Sequence, residues 1–181
     1  KAFLLMKDNN YKEAIPYLQL ATKKENNKHL SSRFNYVLGQ LYLEQNQTDK
    51  AAQSFKLSVR QSQNYQMEFN ARLMMLQCNS DNWEKNVKKL KRMAKNYNNK
   101  DYKDQIYTII GNIYLSHKDT TSAIEAYKTI RMNIVFMLSQ SKKKSFVVSS
   151  FEQGDGKSTC AINIAAAFSQ LGNKVLLIDG D

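Results

Sequence analysis

Two stretches of the chain repeat one order of apolar, small and polar positions. The first runs Asn35-Tyr36-Val37-Leu38-Gly39-Gln40-Leu41-Tyr42 and resumes at Ala51-Ala52-Gln53-Ser54-Phe55. The second runs Tyr107-Thr108-Ile109-Ile110-Gly111-Asn112-Ile113-Tyr114 and resumes at Ala123-Ile124-Glu125-Ala126-Tyr127. Gly39 and Gly111 are 72 residues apart, and so are Ala51 and Ala123. A weaker copy lies between them, with Leu73, Met74, Asn86 and Leu90 in the matching places. A half copy precedes them at Ala2, Leu5, Ala14, Leu18 and Ala21. Apolar spacing at three and four residues predicts paired helices across the first two thirds of the chain.

The small residues carry the physical meaning of the repeat. Gly39, Gly111, Ala51 and Ala123 let two helices approach closely. Tyr42, Tyr114, Phe55 and Tyr127 fill the space between them. Asn46-Gln47-Thr48-Asp49 and His117-Lys118-Asp119-Thr120 read as the polar turns. Thr48 or Asp49, and Thr120 or Thr121, are expected to cap the second helix of each pair. Pro16 is expected to kink or shorten its helix, and Asn86 stands where a small residue is expected. The pattern resembles the tetratricopeptide repeat, a helix–turn–helix unit that stacks into an α solenoid. That resemblance implies a scaffold that binds a protein or peptide partner in a concave groove. Trp83, Met74, Met75 and Cys78 read as core positions.

After Lys142-Lys143-Lys144 the periodicity changes. Ser145 to Ser150 and Lys174 to Asp179 are β-branched and apolar runs that predict buried strands, and Cys160 to Gln170 predicts an Ala-rich helix with Gly172 near its end. Strand, glycine-rich loop, helix, strand is the opening of a parallel α/β sheet. The expected fold is therefore an α solenoid followed by a truncated α/β P-loop segment.

The loop reads Phe151-Glu152-Gln153-Gly154-Asp155-Gly156-Lys157-Ser158-Thr159. Backbone N–H groups that close around phosphate oxygens need glycine where a Cβ would block approach. Gly154 and Gly156 meet that need. Lys157 can reach the β- and γ-phosphates, Ser158 can place its hydroxyl on Mg²⁺, and the helix from Thr159 adds its positive end. The cofactor-binding set is Gly154, Asp155, Gly156, Lys157, Ser158 and Thr159. Phe151 stands where the usual first glycine of the motif would be.

Residues 125–181 resemble the start of the cytoplasmic domain of bacterial tyrosine kinases that control capsule and exopolysaccharide export. The resemblance rests on Glu125 to Ile134, Val148-Ser149-Ser150, Gly154 to Thr159, and Lys174 to Asp181. It implies ATP and Mg²⁺ as cofactors, with Lys157, Asp179 and Asp181 as catalytic residues and Ser158 and Asp179 at the metal. It also implies assembly through Glu125 and Arg131. Lys128 replaces the middle arginine of that assembly motif and loses its planar fork. Partition ATPases of the same superfamily carry a lysine where Glu152 stands. Two strands and one helix cannot cover both faces of a parallel sheet, so the piece is expected to be inactive in phosphoryl transfer. A non-catalytic repeat scaffold binding a protein partner, its P-loop piece an incomplete remnant or an artificial join, is the alternative reading.

Residues 1–130 form the expected repeat domain and 125–181 the expected nucleotide-binding one. Residues 123–131 satisfy both patterns, so one helix over 121–138 is expected to join them. The first residue is Lys1, and the chain reads as a fragment at both ends. The net charge is +11, but its lysines are scattered among 18 asparagines rather than set in a stripe, and no nucleic-acid module is recognisable. No nucleic-acid partner is expected. No apolar run reaches the roughly 20 residues of a membrane span, so membrane contact is expected only through a partner or a missing segment. Two cysteines are too few for a disulfide framework and fit a reducing cytoplasm.

Overall fold

A computed structural model describes residues 1–78, 82–139, 144–149 and 156–180. The described regular structure is helical. The helices are α1 (Ala2–Lys7), α2 (Tyr11–Lys24), α3 (Lys28–Glu44), α4 (Thr48–Gln61), α5 (Tyr65–Cys78), α6 (Trp83–Lys95), α7 (Lys103–Ser116), α8 (Thr120–Leu138) and α9 (Lys157–Ser169). A 3₁₀ segment at Tyr97–Tyr102 precedes α7. The chain divides into two compact units, Lys1–Asn86 and Val87–Asp181.

Three hairpins close with the same turn. Asn9, Asn46 and Lys118 hold left-handed backbone with φ of 56°, 55° and 59°. The amide after each donates five residues back: Asn10 to Leu5 O, Gln47 to Tyr42 O, and Asp119 to Tyr114 O. This is the Schellman arrangement, which satisfies carbonyls orphaned at a helix end. The half copy at the start of the chain is therefore a true repeat in its turn geometry. The expected caps shift by one position. Asp119 caps α8 by accepting from Ser122 N at 3.0 Å, so neither Thr120 nor Thr121 does so. Gln47 occupies the N-cap of α4 without a side-chain bond, in place of Thr48 or Asp49. Thr48 and Thr120 already hold helical backbone, whereas a cap must lie just outside it. Pro16 sits inside α2, which continues through it to Lys24.

In the first unit, α2, α3 and α4 bury Ala14, Leu18, Leu38, Leu41, Ala51 and Phe55 together, with Cys78 from α5. A Cβ on Gly39 would lie 2.7 Å from the Phe55 ring, so glycine is what lets α3 and α4 meet. Ser32 Oγ donates to Ser58 O at 2.9 Å across the same buried interface. Asn86 is buried too, and its Nδ2 donates to Leu76 O at 3.1 Å. That bond explains an amide where the repeat favours a small residue, because a buried amide is tolerated when hydrogen-bonded. Cys78 is a buried small hydrophobe, and burial pushes its thiol up to about 11.

The second unit repeats the close approach. A Cβ on Gly111 would lie 2.7 Å from the Tyr127 ring. Tyr127 is buried, and its hydroxyl donates to Asn112 Oδ1 at 2.9 Å. The continuous helix α8 is present as expected. Against it packs α9, which adds Ile164 and Ala167 to a core with Tyr127 and Ile130.

The expected strands do not form among the described residues. Residues 144–149 carry no regular structure; Phe146 instead faces Phe168 with ring centroids 6.0 Å apart, and Val148 rests on the α8–α9 core. Residues 173–180 are also irregular, and Val175, Leu176, Leu177 and Ile178 are exposed. A parallel strand needs a neighbouring strand and a helix to cover it. Here α9 has given its buried face to α8, so no covering layer remains for a sheet.

Candidate functional site

A groove of the first unit has a volume of about 350 Å³. Each of three helices contributes a face at helical spacing. From α2 come Gln19, Thr22 and Lys23, from α3 Asn35, Leu38 and Tyr42, and from α4 Lys50, Gln53, Ser54 and Leu57. Leu38, Tyr42 and Asn35 are buried and form the floor, while Gln19, Lys23, Lys50, Gln53 and Leu57 are exposed and form the rim. Tyr42 is held from both sides. Gln19 Nε2 donates to its hydroxyl at 2.6 Å, and Lys50 Nζ lies 5.7 Å from its ring centre. Lys50 also donates to Gln47 Oε1 at 2.9 Å. Asn35 Nδ2 donates to Ser31 O and to Gln61 Oε1. No acidic side chain is among the described residues that line this groove. A smaller groove of about 280 Å³ lies between α3 and the α5 side, with His29, Arg33, Asn64 and Met67 in its wall.

The sequence located the repeats, Gln53 among them, but assigned none of these rim residues to a site. The register of the repeat gave each helix's inward face. The groove is formed where α2 and α4 flank α3, a juxtaposition that depends on packing.

The second region is the start of α9. Gly156 has φ of +81°, and an added Cβ would meet only Asn112 Nδ2 at 3.9 Å. Glycine is required there for backbone conformation, not for space. Lys157 is half-buried, while Ser158 and Thr159 are exposed on the first turn. Helix N-termini leave N–H groups without intrahelical partners and carry partial positive charge. Asp179 lies in the exposed irregular segment beyond α9. Gly154, Asp155 and Asp181 lie outside the described residues. Among the described residues no group of three or more His, Cys, Asp or Glu could hold a metal ion.

The residues expected to mediate assembly are engaged within the chain. Glu125 pairs with Lys128 at 2.6 Å on the surface of α8. Arg131 is buried, and its Nη1 donates to Ala167 O of α9 at 2.6 Å. Cys160 is half-buried with Sγ 3.8 Å from Thr108 Oγ1, and burial raises its thiol pKa while the Thr108 hydroxyl lowers it. No helix among the described residues is long and apolar enough to cross a membrane.

With this geometry in view, comparison with known proteins identifies the repeats. Residues 32–65 and 104–130 match the tetratricopeptide repeat family. The solved structure of MamA shares the fold, with a TM-score of 0.55 and 17% identity over 94% of this chain and 84% of that one. A shorter stretch is similar to bacterial tyrosine kinases. Tyrosine-protein kinase YwqD of Bacillus subtilis is 51% identical over 57 residues, which is 32% of this chain and 24% of the relative. Putative tyrosine-protein kinase CapB of Staphylococcus aureus is 36% identical over 72 residues, or 40% of this chain and 32% of the relative. Tyrosine-protein kinase CpsD of Streptococcus pneumoniae is 46% identical over 59 residues, 33% of this chain and 25% of the relative. The chain thus spans about a quarter to a third of the length of the curated relatives it matches.

Proposed function

We propose that this chain is a protein-interaction scaffold whose first unit receives an extended peptide in the groove of α2, α3 and α4. The observation that carries this reading is the groove itself: a buried Leu38–Tyr42 floor inside a rim of long polar side chains. A floor that is apolar with a few placed polar groups is what ligand recognition needs. Panning a random peptide library against the full chain is expected to enrich a consensus. Leu57→Glu, on the exposed rim, should weaken that consensus at least about tenfold by placing a charge against it. Absence of enrichment, or binding indifferent to Leu57→Glu, rejects the reading.

A second reading is favoured by the identity to the tyrosine kinases. In it the 125–181 region is an ATP-binding element like that of a capsule-export tyrosine autokinase, acting in the cytoplasm. The residues at the start of α9 suit a triphosphate: a left-handed glycine, a lysine, a hydroxyl and a helix N-terminus. Gly156, Lys157 and Thr159, with Gly154 and Asp155, would hold the phosphates. Ser158 and Asp179 would orient Mg²⁺, which supplies charge neutralisation at the transferring phosphoryl group. Asp181 would stand beside Asp179 as the second catalytic carboxylate. Glu125, exposed on α8, would contribute to assembly, whereas Arg131 is taken up within the chain by the Ala167 carbonyl. Lys157→Ala should abolish binding of a fluorescent ATP analogue without altering helicity; unchanged affinity would sink this assignment.

A further inference from the structure

We infer that the α2–α3–α4 groove selects a peptide segment carrying side-chain carboxylates in alternation with apolar side chains. The inference rests on the groove reading above and deepens it by assigning the chemistry of the partner.

Charge is the first argument. The two ionised groups on the described rim are both cationic: Lys23 from α2 and Lys50 from α4. They come from different helices, so the field over the groove is positive on more than one wall. Lys50 is not a freely sweeping side chain. Its ammonium is held by Gln47 Oε1 and lies over the Tyr42 ring. That pre-orders the charge and lowers the entropy lost when a carboxylate arrives. A cationic peptide would meet like charge with no acid on the described rim to relieve it.

The floor supplies the second argument. Leu38 and Tyr42 are apolar and buried, and Leu57 on the rim is 44% exposed. In an extended peptide, side chains alternate between two faces. One face can lay apolar groups on Leu38 and Leu57 while its neighbours lean outward to the two lysines. Gln19, already bonded to Tyr42, brings an amide to the rim for the peptide backbone.

The test uses the full chain and three fluorescein-labelled octapeptides with both ends blocked. One alternates Glu with Leu, one Gln with Leu, one Lys with Leu. Anisotropy titration should show the Glu peptide binding about tenfold more tightly than the Gln peptide, with no measurable binding of the Lys peptide. Lys23→Gln and Lys50→Gln should each cost about threefold for the Glu peptide and nothing for the Gln peptide, as expected for exposed ion pairs. The advantage of the Glu peptide should shrink as salt rises. The double variant Lys23→Glu with Lys50→Glu should prefer the Lys peptide, which a merely unfolded variant would not do. Equal binding of the Glu and Gln peptides overturns the carboxylate inference and leaves the groove reading standing. Failure of all three peptides, while a panned consensus binds in a Leu57-dependent way, overturns the inference alone. Failure of the panned consensus as well overturns both.

Discussion

Two glycines decide how closely the paired helices pack. At Gly39 and Gly111 an added methyl carbon would meet an aromatic ring at 2.7 Å, and neither ring is exposed enough to swing aside. Alanine gains about 1 kcal/mol over glycine as a helix former. Overpacking of a closed core costs about 1–3 kcal/mol, so the clash should win. Gly39→Ala and Gly111→Ala are each expected to lower the urea midpoint. Gly39→Ala combined with Phe55→Leu should recover part of the loss, because the smaller side chain makes room. A Gly39→Ala chain as stable as the parent would show that the interface has slack. The small–large pairing of these residues was legible in the sequence, since glycine and aromatic recur together at fixed spacing. The caps were legible only to within one residue. Which residue is the first helical one depends on where the left-handed turn at Asn46 or Lys118 places the chain.

At the scale of elements, α9 is the informative case. Its apolar residues are not confined to one stripe: Ile164 and Ala167 are buried while Ile162 is 56% exposed. A helix without a single apolar face can be covered by a sheet or by another helix. Here α8 covers it, and Arg131 fixes the match by donating to the Ala167 carbonyl. A hydrogen bond from a charged group contributes about 1.5–3 kcal/mol. Arg131→Ala is therefore expected to release α9. Hydrogen exchange should show lost protection across Lys157–Ser169, with α7 and the first turns of α8 still protected. Arg131→Lys should release it in part, because one ammonium can reach the carbonyl without the guanidinium's spread. Full protection of α9 in Arg131→Ala would mean that the apolar contacts suffice alone.

For the whole molecule, the boundary between the two compact units falls inside α6, between Asn86 and Val87. Each unit has its own large buried aromatic, Phe55 in the first and Tyr127 in the second. Truncating such a ring costs about 3–5 kcal/mol. Phe55→Ala is expected to weaken protection mainly in residues 1–86 and Tyr127→Ala mainly in residues 87–181, read by hydrogen exchange. Loss spread equally over the chain by either change would show a single cooperative unit instead.

The amino-acid sequence by itself determined the helices, their pairing into hairpins and the position of the turns. Those features depend on neighbours close in the chain: a period near four, a small residue facing a ring, and polar residues that close a turn. Tertiary structure decided the rest. It set α2 and α4 on either side of α3 around Tyr42 to make a groove that no short motif announces. It turned Arg131 inward to α9. It also left Val175–Ile178 exposed rather than in a strand. A strand gains its hydrogen bonds only from a partner elsewhere in the chain, and the helix that would have covered such a sheet found its apolar surface on α8.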